Sequence, residues 1–105
     1  MNTGYTLRFT EEAEEDLLRL YACLIERAPD GGTSVAERAL GAIEHGFAVL
    51  RRTPYICRKA APGNPYLREL LIPFGSAGYV ALFEIEPGEV VTLLAVRHQR
   101  ESDYH

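Results

Sequence analysis

The residues best suited to chemistry lie together in the last nine positions of the chain. Histidine titrates near neutral pH and suits proton transfer, arginine stabilises an anionic transition state, and tyrosine can donate a hydrogen bond. The members of this group are Arg97, His98, Arg100, Tyr104 and His105. The set is suited to cleaving an RNA phosphodiester. The alternative is an ordinary polar C-terminal tail, which has the same composition without any chemistry.

A second charged feature is the stretch from position 51 to position 68, which contains no acidic residue. Its cations are Arg51, Arg52, Arg58, Lys59 and Arg68. A basic stretch of this kind favours an anionic partner. That partner is either a phosphodiester, held close to the C-terminal histidine by strand pairing, or an acidic protein segment. The alternative is a solvated loop whose arginines balance the acidic first helix.

Other catalytic classes find little support. The cysteines and histidines lack the paired spacing of metal ligands, so we expect no metal and no cofactor. These residues are Cys23, Cys57, His45, His98 and His105. No serine lies in a glycine elbow, and residues 75–78 lack the lysine and following helix of a phosphate-binding loop.

The elements that would position these groups begin with a strand and a helix. Tyr5, Leu7 and Phe9 alternate with polar residues, which predicts a half-buried strand. Thr10 is a suitable N-cap for a helix whose apolar positions repeat every three or four residues. This helix should end at residues 29–32, where a proline and two glycines favour a turn.

A second helix is predicted by a capping box and an apolar stripe. Ser34 and Glu37 have the spacing of a capping box, and His45 is expected on the exposed side. The stripe consists of Ala36, Leu40, Ile43, Phe47 and Leu50. Because the link between the helices is short, they should form an antiparallel hairpin that needs a sheet to cover its apolar side.

Three strands are predicted after an irregular basic link, over residues 66–74, 79–85 and 90–96. The short turns between them favour antiparallel pairing. The chain therefore reads as an α+β domain of order β-α-α-β-β-β, with an antiparallel sheet on a helical hairpin. The last two strands are apolar at nearly every position, which indicates cover on both faces. Since the helices cover one face, the other is expected to bind a partner.

Length and charge set further limits. The chain has 105 residues and a net charge of −4, which fits one soluble domain over 1–105, with 1–4 and 101–105 expected to be flexible. There is no signal peptide pattern and no apolar run of the ~20 residues that a membrane helix needs. We therefore expect a cytoplasmic protein with free thiols. The acidic balance argues against binding nucleic acid without sequence preference.

The chain as a whole resembles toxins of the RelE/ParE superfamily from bacterial type II toxin-antitoxin systems. The resemblance rests on residues 7–17, 51–54, 67–70 and 94–100, together with Tyr79, in this order and spacing. It implies a small α/β toxin that a cognate antitoxin wraps with an extended or helical segment. The two proteins together repress their operon, so operator DNA is contacted only through the antitoxin, in a hetero-oligomer.

The resemblance leaves two branches open. RelE-like members are ribosome-dependent ribonucleases that cut messenger RNA, whereas ParE-like members are associated with inhibition of DNA gyrase. RelE-like chains are usually basic and rich in lysine, but this chain is acidic and has one lysine, Lys59. The ParE-like branch is therefore favoured. A third reading is a non-toxic relative that only binds a partner.

Each reading assigns its own residues. A ParE-like toxin has no firm catalytic set and binds its antitoxin or target through Arg51, Arg52, Arg58, Lys59, Arg68, Tyr79 and Arg97. A ribonuclease would use His98 as acid or base and Arg68 and Arg100 as stabilisers, with Tyr104 nearby.

Overall fold

A computed structural model describes residues 4–28 and 31–99. A one-turn 3₁₀ helix, Pro54–Ile56, follows the second helix. The main elements are β1 (Thr6–Phe9), α1 (Glu11–Glu26), α2 (Ser34–Arg52), β2 (Arg58–Ala61), β3 (Asn64–Phe74), β4 (Ala77–Glu86) and β5 (Val90–His98). The α+β class and the strand-helix-helix-strand order are confirmed. The additional strand, β2, lies in the segment that was expected to be an irregular link.

The strands form one mixed sheet in the order β1-β5-β4-β3-β2. Strands β3, β4 and β5 pair antiparallel in sequence order, as expected, and the additional strand β2 pairs antiparallel with β3. The prediction of a wholly antiparallel sheet is wrong for the first strand. Strand β1 pairs parallel with β5, which places Leu7 beside Val91. Because β4 is antiparallel to both β3 and β5, these two strands run in the direction of β1.

The core lies between the sheet and the two helices. Helix α1 packs mainly on β5 and α2 on β3. The largest fully buried side chains are Phe83, Leu50, Leu93, Val91, Val96 and Pro54. Four residues of the predicted α2 stripe, Ala36, Ile43, Phe47 and Leu50, are buried as expected, and Leu40 is half-buried. Neither helix, within the described parts of the chain, has the length and apolar content needed to cross a membrane.

The two helix starts were predicted with unequal success. The Thr10 hydroxyl accepts the Ala13 N–H at 3.1 Å, so this N-cap is confirmed. The capping box of Ser34 and Glu37 is wrong, because α2 already includes Ser34 and its N-cap is Thr33. The Thr33 hydroxyl donates to the Glu37 carboxylate at 2.9 Å, and the Glu37 N–H donates to the Thr33 carbonyl at 2.9 Å, so both side chain and backbone link the cap to the first turn.

A β-bulge in the β4–β5 pair gives α1 its attachment to the sheet. The register shifts between Leu82 and Phe83, so one residue of β5 has no direct partner there. Backbone groups freed by the bulge turn toward α1, where the Thr10 hydroxyl donates to the Leu94 carbonyl at 3.3 Å. The bulge thus positions the N-terminal half of α1 over β5.

Candidate binding surface

The sheet face turned away from the helices, here called the open face, has an apolar centre. Leu71 lies opposite Val80, and Leu82 lies opposite Ala95, so all four side chains share this face. Leu71 is 42% exposed. Both helices pack on the opposite face, and no element of residues 4–28 or 31–99 packs over the open one. The described chain therefore leaves this face without a covering element, although only Leu71 of the four is exposed, Leu82 and Ala95 are half-buried, and Val80 is buried.

Charged side chains surround this apolar centre. Arg58 of β2 pairs with Glu69 of β3 at 2.9 Å, on one side of it. Arg97 lies opposite Val80 on the other side and is exposed. Glu84 also shares this face, in the register of β4 with β5. Because acids interrupt the apolar strip, the open face is less apolar than the sequence indicated, and it suits a partner that combines apolar and charged groups.

The basic stretch converges around the connection from α2 to β2. Arg51 and Arg52 end α2, and strand pairing places Lys59 opposite Arg68. Strand alternation divides the group, because Arg58 shares the open face whereas Lys59 and Arg68 lie toward the helix side. Only part of this predicted cluster therefore borders the open face.

Arg68 is held by the chain itself. Its Nε donates to the Pro65 carbonyl at 2.7 Å, and its Nη1 donates to the carbonyls of Tyr55 at 3.0 Å and Cys57 at 2.8 Å. The guanidinium carbon also lies 5.3 Å from the centre of the Tyr55 ring. Arg68 therefore fixes the 3₁₀ turn against the β2–β3 hairpin, a role that the sequence did not indicate.

Tyr79 does not lie on the surface formed by the other predicted contacts. It is 3% exposed, on the helix-covered side of β4, because strand alternation places it on the same face as Ala81 and Phe83. Its ring meets His98 edge-to-face at 5.7 Å. Burial raises the pKa of the Tyr79 hydroxyl above its ordinary 10.0, and the nearby Cys23 thiol adds to that rise.

A groove beside Tyr79 and His98 was missed by the sequence. It has a volume of about 520 Å³ and lies between the second half of α1 and the β3–β4 turn. Its lining includes Leu20, Cys23 and Arg27. These residues come from distant parts of the chain and carry no shared motif, so no sequence signal identifies them.

Arg68 and His98, the two residues of the ribonuclease reading that the structure describes, do not converge. Arg68 is opposite Phe83, and His98 is opposite Tyr79, so they differ by four residues along β4 and by two strand spacings across it. Their backbone positions are therefore roughly 16 Å apart. Arg100 and Tyr104 lie outside the described residues. The described ranges also contain no cluster of three or more histidine, cysteine or acidic side chains placed to hold a metal ion.

Comparison with known proteins identifies the family. Residues 7–103 match the family described as the ParE toxin of type II toxin-antitoxin system, parDE. The chain is 33% identical to Toxin RelE3 of Caulobacter vibrioides over 89 residues, which is 85% of this chain and 88% of that protein.

Solved structures share the fold at lower identity. The chromosomal ParDE system of P. aeruginosa matches with a TM-score of 0.69 and 19% identity, covering 90% of this chain and 95% of that one. A mutant of the E. coli toxin RelE in the free state gives 0.61 and 18%, covering 96% and 88%. The RelBE2 complex of Mycobacterium tuberculosis gives 0.58 and 23%, covering 91% and 99%.

Together, the mixed sheet, the helical hairpin and the family match define a small α+β toxin domain. The chain belongs to the RelE/ParE superfamily, as a toxin of a type II toxin-antitoxin system.

Proposed function

We propose that this toxin arrests growth in the cytoplasm by binding a cellular protein, and that its target is DNA gyrase, as its resemblance to ParE suggests. A cognate antitoxin silences it by covering the open face and the adjoining cations. In this proposal the chain acts through its surface and not as a ribonuclease.

The observation that carries the proposal is the separation of Arg68 from His98. A ribonuclease needs its proton-transfer group and its anion stabiliser at one phosphodiester, within a few ångströms of the reacting atoms. Here the two residues lie roughly 16 Å apart at the backbone by their register. Three of the five N–H donors of the Arg68 guanidinium also go to backbone carbonyls, which holds the group at the 3₁₀ turn.

Antitoxin binding at the open face is supported by the exposed Leu71, by its partly exposed apolar neighbours and by the cations. Burial of Leu71 and its apolar neighbours supplies free energy of binding. Arg97, which is exposed, and Arg58 steer acidic groups during association. A segment of alternating apolar and acidic residues matches both features.

Two assays of the purified chain separate the readings. We expect it to inhibit supercoiling of relaxed plasmid by gyrase, and to leave messenger RNA intact on translating ribosomes. His98→Ala should keep its toxicity, with Glu15→Ala on the exposed side of α1 as the control. Ribosome-dependent cleavage that His98→Ala abolishes, in a variant with unchanged circular dichroism, would contradict the proposal. A chain without either activity would be a binding module only.

The antitoxin surface is tested with the protein encoded by the adjoining gene. We expect Arg97→Glu to lower the association rate at least tenfold in low salt. Arg27→Glu makes the same change of charge at the end of α1, away from the open face, and serves as the control. Equal rates for the two variants would remove the open face from the proposal.

A further inference from the structure

Part of the longest strand has no neighbour on one side. Strand β3 runs from Asn64 to Phe74 and pairs with β4 from Leu67 to its end. On its other side, β2 pairs with it only as far as Glu69. In the chain over 4–28 and 31–99, the outer edge of residues 70–74 is therefore unpaired.

The direction of the backbone groups on this edge follows from the register. The Gln99 N–H donates to the Gly78 carbonyl at 2.8 Å, so the backbone groups of Gly78 point toward β5. Pro73 is opposite Gly78, and its own groups must then point away from β4. By alternation, Leu71 also directs its N–H and C=O to the free edge. Pro73 presents only a carbonyl there, because proline has no N–H.

An apolar groove runs along this edge. Its volume is about 390 Å³, and Ala42, His45, Gly46 and Val49 of α2 line it together with residues 70–73. The lining contains no acidic residue. Beside Gly46 there is no room for a Cβ, which would lie 2.9 Å from Cδ1 of Ile72.

Cations flank the groove at both ends. Arg38 and Arg52 lie seven residues before and after His45 on α2, and so on the same face of the helix. Both are exposed, and neither forms an ion pair within the described residues. A segment that fits this groove is thus extended, apolar at alternate positions and acidic toward its ends.

We propose that an extended segment of the antitoxin adds to β3 as an edge strand, exchanging backbone hydrogen bonds with Leu71. Its apolar side chains fill the groove, and its acidic side chains face Arg38 and Arg52. This inference rests on the proposed function in that the partner is the antitoxin. The missing N–H of Pro73 keeps the free edge short, which disfavours pairing between toxin molecules.

Hydrogen exchange of the full chain, alone and with the co-expressed protein of the adjoining gene, tests this inference. We expect the Leu71 amide to exchange at least tenfold more slowly in the complex. Leu71→Pro removes the N–H and should weaken binding at least tenfold, whereas Leu71→Ala keeps the N–H and should weaken it less. Pro73→Ala supplies a second N–H and should bind at least as tightly as the natural chain.

Each outcome of these measurements shows which partner, if any, pairs with the free edge of β3. A complex in which Leu71 exchanges as it does in the free chain overturns the inference and leaves the proposed function standing. Failure to form any complex overturns both. Protection of Leu71 that rises with the concentration of the free chain, together with dimers in sedimentation, gives the edge to a second copy and overturns the inference as well. If Leu71→Pro does not fold, the exchange of the natural chain and the affinity of Pro73→Ala still decide.

Discussion

The carboxylate of Asp16 accepts the backbone N–H of Val96 at 2.9 Å, which joins the middle of α1 to β5 beside the bulge. Asp16 is 7% exposed. Its other oxygen accepts from Arg19 at 2.8 Å. One carboxylate of an otherwise exposed acidic helix thus satisfies a buried donor that the sheet itself leaves without a strand partner.

Replacement of Asp16 by alanine should strongly destabilise the fold. The variant leaves the Val96 N–H buried without an acceptor, which costs about 2 to 3 kcal/mol. Asp16→Asn keeps an acceptor oxygen and should lose less. Urea unfolding measures both, with Glu15→Ala, an exposed neighbour on the same helix, as the control. Equal midpoints for Asp16→Ala and Glu15→Ala would show that the bond contributes nothing to stability.

The role of Asp16 marks the limit of prediction by periodicity. The apolar repeat of α1 predicts a buried apolar face, but it does not indicate that one of the acidic residues is buried with it. The buried N–H of Val96, 80 residues along the chain, makes Asp16 the exception, because the Asp16 carboxylate is its acceptor. Strand β2 was not predicted for a related reason. The segment Arg58–Ala61 is short, charged and without alternation, and it becomes a strand only through pairing with β3.

Two glycines of α2 should respond oppositely to the same substitution. A Cβ on Gly46 would lie 2.9 Å from Cδ1 and 3.0 Å from Cγ1 of Ile72, whereas a Cβ on Gly41 would have no neighbour within 4 Å. Gly41→Ala should therefore stabilise the chain by about 0.5 to 1 kcal/mol, through helix propensity. Gly46→Ala crowds the buried Ile72 and should lower the free energy of unfolding of the chain by about 1 to 2 kcal/mol. Thermal unfolding of the pair compares them directly, and stabilisation by both would contradict the close contact.

The sequence indicated which residues belong to the basic part of the candidate site better than it indicated on which face of the sheet each of them lies. Spacing alone placed the cations of positions 51–68 in one region, since they are close in sequence and no acid separates them. It did not divide Arg58 from Lys59, because that division depends on the β2–β3 register. Tyr79 was assigned to the binding surface by resemblance, and alternation along β4 buries it instead.

The cations of the basic cluster should differ in their effect on stability. Arg68→Ala removes hydrogen bonds to three backbone carbonyls and the contact with Tyr55, and should destabilise the chain by about 1.5 to 3 kcal/mol. Arg58→Ala removes one exposed ion pair and should change stability by about 0.5 kcal/mol or less. Urea unfolding of the two variants distinguishes them, and equal losses would show that Arg68 is not an anchor. Arg58 is thus the better variant for testing partner binding.

The buried thiol of Cys57 should make the chain less stable in alkali. Burial raises the pKa of Cys57 above its ordinary 9.0, and Arg68 only partly opposes this rise. As the pH rises past 9.0, the unfolded chain releases this proton before the folded chain does, so the free energy of unfolding falls. Cys57→Ala loses packing at pH 7, but its stability should fall less steeply between pH 8 and 10. Denaturant unfolding across that range measures both slopes. Tyr79→Phe is the comparison, because its effect begins nearer pH 10.0, and parallel curves for Cys57→Ala and the natural chain would rule out a contribution from the thiol.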